Sequence, residues 1–232
     1  MKMFVDLHIH SCLSPCADMD MTPMNICAMA KLKGLDAIAI TDHNSARNLN
    51  AAQHAANAHG LVLLPGLEVT TREEVHLLAY FHTLEQAITA GEFFSSHLPK
   101  TPNVTRIFGE QAVMDERDER IGEEERMLIA ATDVPLHRAV EEVKRLDGLA
   151  VPAHINRGAN GLLMNLGFLP EGIDFPALEV SPQQPVDSHI LRGRVILRSS
   201  DAHCLGDILE PVFSLEAQTL STSGILKALG YY

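Results

Sequence analysis

The sequence predicts an α/β fold in which short parallel strands alternate with helices, of the kind that wraps into a barrel. Three observations carry this expectation. Apolar runs of four to seven residues recur along the chain, most of them followed by helix-patterned sequence. Histidines and acidic residues fall at the ends of these runs, where a parallel barrel gathers its functional groups. The length, 232 residues, suits one undivided domain of barrel size covering 1–232.

Taken in order, Val5, Leu7 and Ile9 alternate with Asp6, His8 and His10, which is strand periodicity and puts His8 and His10 on one side. Residues 11–21 form a loop. Thr22 caps a helix that Pro23 opens and Gly34 ends. A buried strand at 37–41 stops at Asp42 and His43, and Asn44 and Ser45 lead into an Ala-rich helix halted by Gly60. Residues 61–64 make a third strand, 67–71 a short extension carrying Glu68, and 75–81 another apolar strand. Thr83 and Gln86 form a capping box that opens a helix running to about His97.

Residues 98–132 break the rhythm with two prolines and the densest charge cluster of the chain, VMDERDERIGEEER. Within them 111–124 reads as an exposed β-hairpin turning at Arg117 and Asp118, with a charged helix as the alternative. Such an inserted hairpin serves as a lid or substrate wall over a barrel mouth, or is a solvated excursion. Regular order returns at 135–147, where Leu136, Ala139, Val140, Val143 and Leu146 form one helical stripe. Strands follow at 149–153, ending in His154, at 177–180, and at 195–199, ending in Ser200, Asp201, Ala202 and His203. A last strand at 212–215 and a helix at 221–229 complete a set of strands joined by right-handed crossovers.

Composition narrows the class. Apolar residues make up 46% of the chain and aromatics only 5%, with no Trp, so the core is aliphatic. No apolar run approaches the ~20 residues that cross a bilayer. Strand-like sequence begins at Met3, which leaves no room for a signal peptide. A cytoplasmic protein with no membrane partner is expected. The formal charge of −12 argues against a nucleic-acid polymer as partner, although carboxylates that ligate cations account for part of it. Cys12, Cys16, Cys27 and Cys204 are too few and irregular for a disulfide framework, and Cys12 and Cys16 lack zinc-motif spacing.

His8, His10, His43, Glu68, His76, His154, Asp201 and His203 all fall at predicted strand ends. One such histidine alone is more often a hydrogen-bonded core residue. Eight ligand-type residues arriving on one face instead point to a metal centre. His54, His59, His82, His97, His137 and His189 lie on predicted helices or loops and are read as surface residues.

HIHS at 8–11, TDHN at 41–44, PGLEVT at 65–70, VHLLAYF at 75–81, PAH at 152–154 and SSDAH at 199–203 resemble, in order, the PHP (polymerase and histidinol phosphatase) family. The resemblance covers nearly the whole chain. It implies a distorted, TIM-barrel-like (β/α)7 barrel bearing two or three divalent metals, with Zn, Mn and Fe all suited to mixed imidazole and carboxylate ligands. It also implies phosphoesterase activity on small phosphorylated molecules, polymerase-attached members being exonucleolytic or inactive. By the same resemblance His8, His10, Glu68 and Asp201 hold a first metal. Glu68 bridges to a second held by His76 and His154, and His43, His203 and one loop residue hold a third. The family has Ser-Asp-Gly soon after the paired histidines, whereas this chain has SCLSPCADMDMTP. Counting back from Thr22 and Pro23 places Asp18 at the ligand position, with Asp20 as its competitor.

The chemistry explains the number of ligands. A phosphate ester repels hydroxide, so cations must screen the substrate and generate the nucleophile, here a hydroxide bridging two metals. No Ser or Cys nucleophile with an adjacent base competes with this. Arg157 is the best phosphate clamp because a guanidinium matches phosphate oxygens, with a surface arginine as the bland reading. Asn44 and Arg198 are weaker substrate-binding candidates, and Asp42 is placed to orient a ligand histidine. The expected substrate is a small phosphorylated metabolite or nucleotide. One rival is an amidohydrolase-type metal hydrolase, which would want a strand-end lysine that no predicted strand supplies. The other is a non-catalytic module that metals only stabilise.

Overall fold

In the computed structural model, which describes all 232 residues, the alternating first segment becomes β1 (Lys2–Ile9), buried from Val5 onward. β1 pairs in parallel with β2 (Ala37–Ile40), and β2 with β3 (Val62–Leu63). Two helices make these crossovers. α1 (Pro23–Leu32) starts where the Thr22 hydroxyl accepts the Asn25 N–H, and α2 (Leu49–His59) stops at Gly60 in the left-handed region, φ 65°.

The next sheet departs from the parallel expectation. β4 (Gly66–Thr70) and β5 (His76–Tyr80) are antiparallel, because residues 71–75 are too few for a crossover, which needs roughly a dozen. α3 (Leu84–Ser96) follows with its Thr83–Gln86 capping box, then the short α4 (Thr105–Phe108) and the hairpin β6 (Ala112–Met114) and β7 (Arg120–Glu123). α5 (Leu136–Arg145) leads to β8 (Leu149–Pro152), which is antiparallel to β5. Beyond α6 (Leu162–Leu166), β9 (Ala177–Glu179) pairs in parallel with β10 (Val195–Leu197), the short α7 (Ser188–Leu191) lying between them in sequence. β11 (Ser214–Glu216), two residues later than expected, runs antiparallel to the start of β1, and α8 (Thr222–Ala228) ends the series.

The ladders fall into four sheets, β11-β1-β2-β3, β4-β5-β8, β9-β10 and the hairpin β6-β7. Single bridges, Ile9 to Ala202 and His43 to Glu68, link their edges without closing a barrel. The architecture is therefore mixed α/β without a closed barrel, where a distorted (β/α)7 barrel was expected.

Both faces of the central strands are apolar, which is why they read as continuous apolar runs. Ile38, Ile40, Leu77 and Ala79 pack towards α1, α2, α3 and α5. Val5, Leu7, Ala39, Leu78, Tyr80 and Val151 form the second, inner cluster. Tyr80 is wholly buried and its hydroxyl donates to the Leu7 carbonyl at 2.7 Å.

The inserted segment contains the expected hairpin, but only β7 is exposed. Ala112, Val113 and Met114 of β6 are buried against the first loop and α2. Ala112 N–H donates to the Cys12 carbonyl at 2.8 Å and Met114 N–H to Asn48 Oδ1 at 2.9 Å. Asp118, in the turn at φ 62°, accepts the Thr22 hydroxyl and the Met24 N–H, so the hairpin helps to cap α1. No helix is long and apolar enough to cross a membrane.

Candidate metal centre

Strand direction explains how the ligand-type residues meet. The parallel strand β1 presents His8 and His10 near its end, and His43 follows β2. Glu68 lies on β4. Because β5 returns antiparallel, its first residue, His76, lies opposite Thr70 at that same edge. β8 reverses again, so Pro152 pairs with Leu77 and His154 emerges alongside. Asp201 and His203 follow β10. The sheets thus bring together all eight strand-end residues, although not all their strands are parallel.

Glu68, wholly buried, is the hub. Its Oε1 lies 2.8 Å from His76 Nδ1, 3.3 Å from His8 Nε2 and 3.3 Å from His154 Nε2. Its Oε2 lies 3.1 Å from His43 Nδ1 and 3.4 Å from His10 Nε2. Asp201 Oδ1 stands 3.3 Å from His8 Nε2 and 3.2 Å from His10 Nε2. Three sets of donor atoms lie within 4.8 Å of one another: His8, His10 and Asp201; His43, Glu68 and His76; and His10, Cys16, His43 and His203.

Two devices aim the paired histidines. The Ser14 hydroxyl donates to Asp42 Oδ1 at 2.7 Å, and so accepts at 3.0 Å from His10 Nδ1, which leaves the His10 Nε2 lone pair free for a cation. Asp42 also holds the loop by accepting Ser11 N–H at 2.8 Å and Ser11 Oγ at 2.6 Å. Glu179 takes His8 Nδ1 at 3.0 Å and the His154 N–H at 2.8 Å, freeing His8 Nε2 in the same way. Sequence reasoning found Asp42 but missed Ser14 and Glu179. Glu179 had a signal: it ends β9, as the ligands end their strands. His154 and Asp201 themselves have positive φ, 28° and 55°, the strained backbone that collects at functional sites.

The electrostatics follow from crowding. Burial alone would push the Glu68 carboxyl up, but His76, His8 and His43 around it hold it well below the usual range. Burial also opposes charge on His43, yet the Glu68 carboxylate raises it to about 10. Burial and the neighbouring His43 drive His10 down to about 3. For Cys16 burial acts upward, and hydrogen bonds to His203 and His43 outweigh it, bringing the thiol to about 7. Both Glu68 oxygens, His43 Nδ1, both His76 nitrogens and His154 Nδ1 are buried without a well-formed hydrogen bond. Such groups cost about 1–3 kcal/mol each unless something satisfies them. Convergent imidazole and carboxylate donors in that state fit divalent cations.

Asp18 does not enter the cluster: its side chain is exposed and its N–H is bonded to the His203 carbonyl at 2.9 Å. Asp20 is exposed too, and Cys16 is the loop residue facing the imidazoles. Asn44 does not line the space beside the cluster. It is wholly buried, donating to the Leu128 and Ala130 carbonyls and accepting the Thr70 N–H, so its amide is spent on the backbone. Arg157 stands at the rim, half-exposed and paired with Asp201 Oδ2. The six other histidines stay outside the cluster, none of them buried.

A pocket of about 140 Å³ opens on Cys16, His43, Glu68, His76 and His154, with Ile129 of the inserted segment on its wall. Beside it a cavity of about 640 Å³ is lined by Arg157, Ser181, Gln183, Gln184, Asp201 and His203, among others.

Fold and cluster together define an α/β domain that gathers metal-ligating side chains at one edge of its sheets. The chain belongs to the PHP domain family, whose model matches residues 6–154. No curated protein matches it. Among solved structures, the lesion-specific endonuclease Q of Pyrococcus furiosus superposes with a TM-score of 0.70 at 22% identity, over 99% of this chain and 56% of the endonuclease chain. Endonuclease Q with a 27-mer duplex substrate, an abasic lesion at its active site, gives 0.67 at 21% identity, again over 99% and 56%. This chain therefore spans little more than half the length of those endonucleases. A proposed metal-dependent phosphoesterase from Bifidobacterium adolescentis gives 0.58 at 18% identity over 97% and 94%.

These likenesses correct one expectation. Net charge argued against a nucleic-acid polymer, yet a protein of this fold takes duplex DNA as substrate. The argument failed because net charge is summed over the whole chain, whereas binding answers to the local field at the site.

Proposed function

We propose that this chain is a metal-dependent phosphoesterase that hydrolyses a phosphate ester seated between the histidine cluster and Arg157. The observation that carries the reading is the buried Glu68 hub, with five imidazole nitrogens 2.8–3.4 Å from its oxygens, opening onto a cavity with a guanidinium at its rim. His8, His10, Glu68 and Asp201 would hold one cation, Glu68, His76 and His154 a second, and His43 and His203 a third. When bound, Zn, Mn or Fe ions supply Lewis acidity and offset the charge of the phosphoryl group.

The chain's own residues do the rest. Ser14 and Glu179 fix which nitrogens of His10 and His8 face the centre. Arg157, now paired with Asp201, is placed to exchange that carboxylate for a phosphate oxygen. Ile129 walls the inner pocket, giving the inserted segment the role of substrate wall. The outer cavity, about 640 Å³, has room for a nucleotide or a comparable phosphorylated metabolite. A nucleic-acid end or lesion is also a phosphate ester and stays within the substrate class. Glu68, rather than a lysine, stands at the middle of the cluster and would be the carboxylate shared between cations, which supports the phosphoesterase reading over the amidohydrolase one.

The test is a panel of phosphomonoesters, small diesters and an oligonucleotide carrying an abasic lesion, assayed with chelated and with Mn-, Zn- or Fe-loaded protein. Hydrolysis by the loaded form alone is expected. Arg157→Ala should lower kcat/KM by about ten- to a hundredfold, the loss of one charge-assisted contact, with metal content unchanged. A fully loaded protein inert towards every ester would leave the non-catalytic module as the better account.

A further inference from the structure

The loop after β1 is routed in a way that its unusual sequence explains. Ser11 and Ser14 anchor its first half on Asp42. Its second half is anchored by the Asp18 N–H on the His203 carbonyl, at 2.9 Å, and by the Cys12 N–H on the Met21 carbonyl, at 2.8 Å. Between these anchors Cys16, an exposed residue at the rim, has its sulfur within 4.8 Å of donor nitrogens of His10, His43 and His203. The gathered imidazoles are themselves close, with ring centroids 4.6 Å apart for His10 and His43 and 4.5 Å for His10 and His203. His43 is only 3% exposed and its Nδ1 lacks a well-formed hydrogen bond.

His10 cannot serve every set at once. Ser14 occupies its Nδ1, and its one free nitrogen, Nε2, lies 3.2 Å from both His8 Nε2 and Asp201 Oδ1. That allots it to the cation of His8 and Asp201. Two imidazoles and one sulfur then remain at the other position, where resemblance placed an aspartate.

We propose that Cys16 is the loop ligand of the cation held by His43 and His203, and that this sulfur makes the position selective for a thiophilic ion, zinc foremost. The inference rests on the metal-dependent reading above. Binding releases the thiol proton to solvent and leaves a thiolate on the ion. Thiolate ligands favour zinc over manganese, whereas an all-oxygen and imidazole set discriminates less. The remaining set, two nitrogens and one sulfur, would match the protein-ligand number of three-ligand zinc sites.

Cobalt(II) reports thiolate ligation directly, through a near-ultraviolet charge-transfer band that carboxylate and imidazole ligands do not produce. Protein loaded with cobalt to saturation should show this band. Cys16→Ser should lose it while keeping the cobalt bound at the other positions. Cys16→Asp should restore full stoichiometry without the band, and Cys204→Ser should leave the band unchanged. In the unmutated protein, bound cobalt or zinc should slow alkylation of Cys16, mapped by mass spectrometry, by tenfold or more. Saturating cobalt without the band, a band that survives in Cys16→Ser, or equal alkylation with and without the ion would each overturn the assignment. Cobalt uptake without thiolate character would sink this inference alone, whereas failure to take up any cation would sink the phosphoesterase reading with it.

Discussion

At the residue scale, the centre depends on groups that need not touch a cation. Glu179 is 3% exposed and spends both oxygens on neighbours, one within 3.0 Å of His8 Nδ1 and also accepting the His154 N–H. It therefore sets a tautomer and the path of a strained backbone together. Outer partners of this kind typically account for about ten- to a hundredfold in metal affinity. Glu179→Gln keeps the volume but weakens the hold on His8, so a loss of about tenfold in affinity is expected by competition titration. The melting curve of the metal-free protein should move little. Undiminished affinity would reduce Glu179 to a backbone acceptor for His154.

Among the elements, the inserted hairpin is the one whose role changed most between pattern and structure. Its charged sequence reads as solvated, but β6 packs beneath the first loop. The stretch that leads into the hairpin also meets this loop at Gly109, where φ is 101° and an added Cβ would lie 2.0 Å from the Pro15 carbonyl oxygen, one residue before Cys16. Alanine there is strained twice, by its backbone region and by that oxygen. Gly109→Ala should cost more than about 1 kcal/mol in denaturant melts and speed proteolysis within 98–132. Wild-type stability and cleavage would show that the stretch leading into the hairpin does not brace the loop.

For the whole molecule, the buried cluster couples stability to cations. Donors that lack hydrogen-bond partners weigh against the metal-free fold, and an ion that binds only the folded chain adds RT ln(1 + [L]/Kd). At a hundred times Kd this is about 2.7 kcal/mol per site, or roughly 5–10 °C in Tm for a chain of this size. Chelation should lower Tm by at least that amount, and zinc or manganese should restore it. A Tm indifferent to chelator would mean that the cluster holds no ion tightly.

The sequence by itself marked the strand-end residues that gather in the candidate centre. Strand periodicity paired His8 with His10, and turn-ended apolar runs delivered His43, Glu68, His154, Asp201 and His203, because both signals are local and depend only on near neighbours in the chain. It also held, unused, the sign that β4 and β5 are antiparallel, since five residues cannot make a crossover. Tertiary structure alone decided which loop residue faces the imidazoles. Counting along the chain favoured Asp18, but the anchors on Asp42 and His203 bring the sulfur of Cys16, an exposed residue, beside the imidazoles and leave the Asp18 side chain outside the cluster. It alone placed Glu179 behind His8, 171 residues away, and filled both valences of the Asn44 amide with distant backbone. Those contacts depend on how separate segments approach in space, and no local pattern of residues encodes that approach.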